Sequence, residues 1–267
     1  MCPKCAPPSF PASAAVTATR RSDGSILKLW RTATGRSSVE REAAALLALA
    51  DHPGLAPPLR GRVEIDGRPG LVIERVVGGG LAAQLRSRPW SVSRTVGALA
   101  RCHASIHAVP APRGLPSLKD DLRRRIEASG QVPSDLARTA LTLLDALPDG
   151  DRLCHGDFHV ANILGTVDRP VVIDWPNATC GDPDADVAHT NVLHRFGRPR
   201  EGTNRLERTV ANIGRGVFGS RYLSAYRKIR PLDNDRLARW ERVRATARLT
   251  TGVPAEREKL IRFLQGV

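Results

Sequence analysis

Lysines, aromatic side chains and long apolar runs are scarce in this sequence, and each scarcity removes a class of protein. No run of eighteen apolar residues occurs, so nothing is expected to span a membrane. The N-terminus lacks the charged-then-apolar layout of a signal peptide, and a cytoplasmic location is the expectation. Aromatic residues make up 4%, too few for a platform on which single-stranded bases would stack. No repeat with a period of 20 to 50 residues is evident, which argues against a solenoid or propeller. The five cysteines are odd in number and scattered. Cys2 and Cys5 form one Cys-x-x-Cys without the second pair that a zinc ribbon needs, so reduced thiols are the favoured reading. What is present is a globular composition, 41% hydrophobic over 267 residues, enough for one large domain or two modest lobes.

The formal charge of +14 is unevenly placed. Residues 194–267 hold 18 Lys or Arg against 7 Asp or Glu, so nearly all of the excess lies in the C-terminal third. Two readings stay open: an anionic partner, whether nucleic acid or an acidic or phosphorylated substrate, and an Arg-rich solvated helical surface.

The order of elements predicts an α+β chain in two lobes. VTATRRSDGSILKLW (16–30) alternates about Asp23-Gly24, and RGRVEIDGRPGLVIERV (60–76) about Asp66-Gly67, both hairpin signatures. Between them SSVEREAAALLALA (37–50) reads as a helix, with Ser37 or Ser38 as cap and Leu46, Leu47 and Leu49 on its buried side. Gly78-Gly79-Gly80 breaks the pattern. A helix over 91–109 follows, ending at Pro110, then helices over 117–128, 134–146, 184–195, 204–228, 233–250 and 255–265. The expected layout is a small antiparallel-sheet lobe over 1–76, a hinge at 77–80 and a larger, mostly helical lobe over 81–267. Ligands favour the cleft between such lobes.

LCHGDFHVANIL (153–164) packs His155, Asp157, His159 and Asn162 into eight residues, and two chemistries compete for it. A metallohydrolase would use the histidines as ligands. Gly156 argues against a helix that would put His155 and His159 on one face, and no further ligand set is evident. His103 and His107, four apart on an amphipathic helix, read as partly buried helix histidines. A phosphoryl-transfer enzyme needs a carboxylate for the attacking hydroxyl, oxygen ligands for magnesium and a cation on the phosphates. Asp157 and Asn162 have the spacing of a kinase catalytic loop, and Asp174 in VVIDW follows twelve residues later at a strand end. One carboxylate and one amide beside the phosphates suffice for magnesium, which keeps several waters. Lys28 in ILKLW is one of only five lysines, and Glu42 on the next helix is a partner for it.

These pieces, with LVIERVVGG and GDPDADVA, run in one order over residues 11–195, and together they resemble the aminoglycoside phosphotransferase family within the choline-kinase and protein-kinase-like group. The resemblance implies a bilobal protein-kinase-like fold and an enzyme that uses ATP (GTP being the alternative) and magnesium to phosphorylate a hydroxyl of a small molecule. It implies that Asp157 is the catalytic base and that Asn162 and Asp174 are the magnesium ligands. Lys28 would hold the α- and β-phosphates, and Glu42 would hold Lys28. The backbone from Glu74 to Val76 would meet the adenine edge with Ile73 behind it. His159 would sit near the γ-phosphate, while His155 and Asp186 would serve the architecture of the loop. SFPAS (9–13) is the candidate phosphate-covering loop, with Ser9 or Ser13 as donor and no glycine.

Three features depart from that pattern or distract from it. Only residues 1–15 are left for the first strand and the phosphate-covering loop, no Asp-Phe-Gly follows Asp174, and Gly214-x-Gly216-x-x-Gly219 copies a dinucleotide fingerprint without the apolar strand that should precede it. The acceptor should lie against residues 180–267. The resemblance implies an aminoglycoside-like antibiotic, and with it antibiotic resistance, but polycationic sugars want carboxylates and this region is basic. A neutral or acidic metabolite, or another antibiotic class, fits the charge at least as well, unless Asp182, Asp184 and Glu201 line the pocket. Two rival functions remain: a pseudokinase-like nucleotide-binding module, and a nucleic-acid- or ribosome-binding protein that uses the basic C-terminal helices.

Overall fold

The computed structural model describes residues 16–32, 35–197 and 205–266, with side chains described from residue 214 in the last stretch. Strands β1 (Val16–Arg20) and β2 (Ile26–Trp30) form the first expected hairpin, and β3 (Leu59–Ile65) and β4 (Arg68–Ile73) the second. Asp66 and Gly67 both take positive φ, 51° and 69°, the geometry of a tight turn matched to the strand twist. The four strands pair antiparallel in the order β1-β2-β4-β3. Along β2 the period of two puts Ile26, Lys28 and Trp30 on the buried face, so a lysine is built into the inner surface of the sheet.

Helix α1 (Arg36–Ala48) packs on β3 and β4. Its buried stripe is Val39, Glu42, Ala43 and Leu46, spaced by three and four, which carries a carboxylate onto the same inner surface. Two expectations for this helix need correction. Ser37 and Ser38 lie inside it, and Gly35 is the N-cap without a side-chain bond. Leu46 and Leu49 are buried, but Leu47, near the C-terminal end of the helix and at the edge of that stripe, is 56% exposed.

After β4 the chain crosses Gly78-Gly79-Gly80, where Gly78 has φ 118° and a Cβ would stand 3.2 Å from the Gly165 Cα. Gly165 N donates to Gly79 O, so this joint rests on the hairpin that follows the His155–Asn162 loop. The helical part comprises α2 (Leu81–Ser87), α3 (Val92–Ile106), α4 (Leu118–Glu127), α5 (Ser134–Ala146), α6 (Pro183–Phe196), α7 (Arg205–Arg227), α8 (Asn234–Leu249) and α9 (Pro254–Gln265). Helix α2 was not expected from the pattern. Two short ladders sit among the helices: β5 (Arg152–Cys154) with β8 (Thr179–Gly181), and β6 (Ile163–Gly165) with β7 (Pro170–Val172). The core is built on Trp175, Trp240, Tyr222, Tyr226 and Phe158, with α6 against α8 and α3 against α7. Gly214, Gly216 and Gly219 lie within α7, so the dinucleotide fingerprint is a coincidence of spacing. The fold is α+β and bilobal. No helix among the described residues is long and apolar enough to cross a membrane.

Candidate active site

The loop from His155 to Asn162 is held from behind by Asp186, a fully buried residue in α6. His155 N donates to its Oδ2 at 2.6 Å and Gly156 N to its Oδ1 at 3.0 Å. His103 Nε2 and His107 Nε2 lie 3.1 and 3.4 Å from Oδ2, and their Nδ1 atoms lie 2.6 and 2.7 Å from the hydroxyls of Tyr222 and Tyr226. A carboxylate only accepts, so each Nε2 carries its ring proton and each Nδ1 accepts from a tyrosine. These histidines are fully buried, deeper than the half-buried positions expected of them. Although His103, His107 and Asp186 stand close enough to hold a metal, their hydrogen bonds account for the arrangement. Burial pushes His103 down to about 3. The same burial would raise Asp186, but the hydrogen bonds from His103 and His107 outweigh it and hold the carboxyl well below the usual range. Asp186 therefore anchors the loop as a buried anion.

Two more histidines shape the loop. His155 Nε2 lies 3.1 Å from Ile173 O, and its Nδ1 accepts from Asp157 N at 3.2 Å, tying the loop to the strand that leads into Asp174. Its ring packs on Trp175 at a centroid distance of 4.5 Å. His159 Nδ1 accepts from Ala161 N, which leaves its Nε2 facing Asp157 Oδ2 at 3.6 Å. Burial works against ionising Asp157, yet the interaction with His159 prevails, and its pKa lies below the ordinary carboxylate value. Asp157 is thus an anion with a proton-bearing neighbour at its oxygen.

Asn162, buried in a 3-10 turn (Val160–Asn162), donates through Nδ2 to Asp157 O at 3.0 Å. Its amide oxygen remains as an acceptor. Asp174 follows β7 with φ 70°, a left-handed conformation that costs a non-glycine residue and persists where function demands the side-chain direction. Its Oδ1 stands 3.0 Å from Lys28 Nζ. Lys28 also donates to both Glu42 oxygens, at 2.6 and 2.7 Å, and so joins sheet, α1 and the Asp174 segment. Burial favours neutral Lys28, but the two carboxylates outweigh it and raise its pKa above the lysine value. An amide oxygen and a carboxylate next to a fixed cation form a hard-oxygen donor set suited to magnesium.

The remaining candidates lie along the joint. Ile73 is buried and pairs with Ile26 and Leu59. Glu74 N donates to Pro58 O and its carboxylate reaches Arg60, and the chain through Val76 continues outside the ladder. Ser9, Ser13, Cys2, Cys5 and Glu201 lie outside the described residues. Among the described cysteines all three are free, and burial raises Cys102 to about 11.

Residues 11–232 match the sequence model of the phosphotransferase enzyme family. The chain belongs to that family. Amicoumacin kinase, solved with AMP-PNP, calcium and its ligand, superposes with TM-score 0.61 at 16% identity, over 96% of this chain and 86% of that one. An aminoglycoside phosphotransferase of Streptomyces rimosus gives 0.54 at 22% identity, over 90% and 91%. A choline kinase of Cryptosporidium parvum gives 0.51 at 13% identity, over 95% and 89%. No curated protein matches the chain by sequence. These likenesses extend the kinase-like fold of this phosphotransferase across nearly its whole length.

The helical side of Asp157 holds residues that the sequence pattern did not single out. A cavity of ≈ 180 Å³ opens at Asp157 and Gly156 and is walled by Arg125, His189, Arg244 and Arg248 among others. Asp182 and Asp184 are not on it. Asp182 caps α6 and accepts from Trp240 Nε1, while Asp184 accepts from Arg236 Nε at 2.6 Å. Both are buried in these tasks, and neither lines this cavity as the sequence reading allowed. Much of the basic excess is engaged within the fold: Arg248 with Glu256, Arg242 with Leu264 O and Arg230 with His107 O. The signal available in the sequence was Arg244 and Arg248, four apart on one helix.

Proposed function

We propose that this phosphotransferase is a small-molecule kinase that transfers the γ-phosphoryl group of ATP to a hydroxyl in a magnesium-dependent reaction. The observation that carries the reading is Lys28 Nζ held by Glu42 and by Asp174 at 3.0 Å, with Asp157 and Asn162 on the neighbouring loop. In this reading residues 1–76 hold the nucleotide, 77–80 form the hinge, and 81–267 carry the loop and the acceptor. Lys28 binds the nontransferred phosphates and Glu42 keeps its ammonium aimed at them. Glu74 to Val76 offer backbone groups to the base, with Ile73 behind it, and Ser9 or Ser13 cover the phosphates. Asn162 and Asp174 hold magnesium, which neutralises phosphate charge when bound.

Asp157 accepts a hydrogen bond from the acceptor hydroxyl and orients it for in-line attack. The new O–P bond forms as the bond to ADP breaks, and the hydroxyl proton passes to Asp157 and then to solvent. His159 stands beside that carboxylate, where a proton-bearing ring assists the departing charge. The direct test is binding of ATP and of GTP with and without magnesium, followed by ADP release against a library of hydroxylated compounds. Nucleotide binding that ignores magnesium would contradict the reading.

A further inference from the structure

The cavity at Asp157 has a charge pattern that defines the other substrate more narrowly than the family does. Its walls carry three guanidiniums, of Arg125, Arg244 and Arg248, against one carboxylate, that of Asp157. Arg248 is held bidentately by Glu256, at 2.7 and 3.0 Å, so it is fixed in place and largely neutralised. Arg125 pairs with Asp121, which also serves Arg41 and Arg124; a single carboxylate shared by three guanidiniums leaves positive charge in surplus. Arg244 is 5% exposed, donates through Nε to Ala185 O at 2.9 Å, and has a buried Nη2 with no acceptor among the described residues. His189 adds a second buried atom without a partner among the described residues, Nδ1. Burial and the Arg244 charge together push that ring down to about 3, so it is neutral at ordinary pH.

Buried polar atoms without partners are rare in native proteins because each forfeits its hydration, and a ligand can supply the missing partner. A guanidinium is matched by a planar or tetrahedral oxyanion. A polycation would meet the three guanidiniums at short range with only the catalytic carboxylate in its favour.

We propose that the acceptor is a hydroxylated acid, whose carboxylate or phosphate is bound by Arg244 with Arg125 and Arg248 beside it while its hydroxyl lies at Asp157. This rests on the kinase reading above, since it takes Asp157 as the reacting end of the cavity. Specificity would then come from the distance between anion and hydroxyl.

The test uses the full chain saturated with magnesium and AMP-PNP, so that the nucleotide site is filled, and titrates inorganic phosphate and lactate as probes of the acceptor cavity. Binding of at least one anion is expected, weakened tenfold or more by Arg244→Gln and several-fold by Arg125→Gln, with Asp157→Asn binding the anion at least as tightly as wild type. Whichever probe binds more tightly tells phosphate from carboxylate. Arg125 is the more exposed of the two, so its variant keeps the test sound should Arg244→Gln fail to fold. Absence of both anions from the nucleotide-loaded protein, or affinities indifferent to both substitutions, overturns the proposal. Efficient phosphorylation of kanamycin, unchanged in Arg125→Gln, overturns it as well. Failure of magnesium-dependent AMP-PNP binding in the wild type would instead overturn the kinase reading.

Discussion

On the sheet side of the cleft Lys28 donates to both Glu42 oxygens and to Asp174, whereas on the helical side Arg244 Nη2 and His189 Nδ1 are buried without partners among the described residues. The first region is electrostatically self-sufficient. Its cation is held in place by anions of its own chain, and in the proposed reading that preorganises it for phosphate. The second region leaves buried polar atoms unmatched among the described residues, which lowers stability unless something else completes the set. In the proposed reading, then, the part that would meet the nucleotide is balanced in advance, and the part that would select the acceptor is left incomplete.

The comparison breaks most completely at Asp174. Asp174→Ala is expected to abolish magnesium-dependent nucleotide binding in a calorimetric titration, while Asn162→Ala weakens it less, because a neutral amide attracts a divalent cation less than a carboxylate does. Titrations of Asp174→Ala that match wild type would remove both from the metal site.

Next in size is the Lys28–Glu42 pair. Lys28→Met leaves Glu42 buried and unpaired, and urea unfolding should show a loss of about 3 kcal/mol. The double variant Lys28→Met with Glu42→Leu should recover most of that stability and none of the nucleotide affinity. Recovery of both would mean that the pair serves the fold alone.

Asp157→Asn is expected to lower kcat by roughly 100-fold, with nucleotide affinity little changed, since the amide keeps the shape but neither orients nor accepts from the hydroxyl as an anion does. Near-normal turnover would take Asp157 out of the chemistry and leave the two sides of the cleft without a meeting point.

The smallest effect, counted per group and per pH unit, comes from the buried histidines. His103 and His189 are pushed to about 3 and His194 to about 4, all below the unfolded value of 6.5. The unfolded chain therefore binds more protons in that window. The stability these groups confer is complete above pH 6.5 and is lost as pH falls towards 4 and then 3. Each should remove about 1.4 kcal/mol per pH unit there. Thermal unfolding between pH 7 and 5 checks this, and a flat profile would show that the rings are not held neutral.

Much of the proposed nucleotide side was legible in one dimension. Asp157 and Asn162 lie on one short loop, Asp174 follows a strand, and Lys28 and Glu42 sit on elements with clear hairpin and helix patterns. Local rules decide such features: turn residues at Asp66-Gly67, period two along β2, and spacing by three and four in α1. The wall around Arg244 was not legible. Helix α8 buries Leu237, Trp240, Val243, Ala245 and Leu249 on several of its sides, so no apolar stripe announces which way Arg244 faces. Asp182 and Asp184 look like pocket carboxylates until Trp240 and Arg236 are seen to bind them.

By itself, the sequence determined the order of strands and helices and the spacing of Lys28, Glu42, Asp157, Asn162 and Asp174, because hydrogen-bonding periodicity and turn geometry act over a few neighbours. Only the tertiary structure decided which charges cancel. Lys28 meets Asp174 across 146 residues and His103 meets Tyr222 across 119, and pairing at such separations depends on how the helices pack. The buried Arg244 Nη2, without an acceptor among the described residues, is the same kind of fact, since its surroundings are set by how the helices pack.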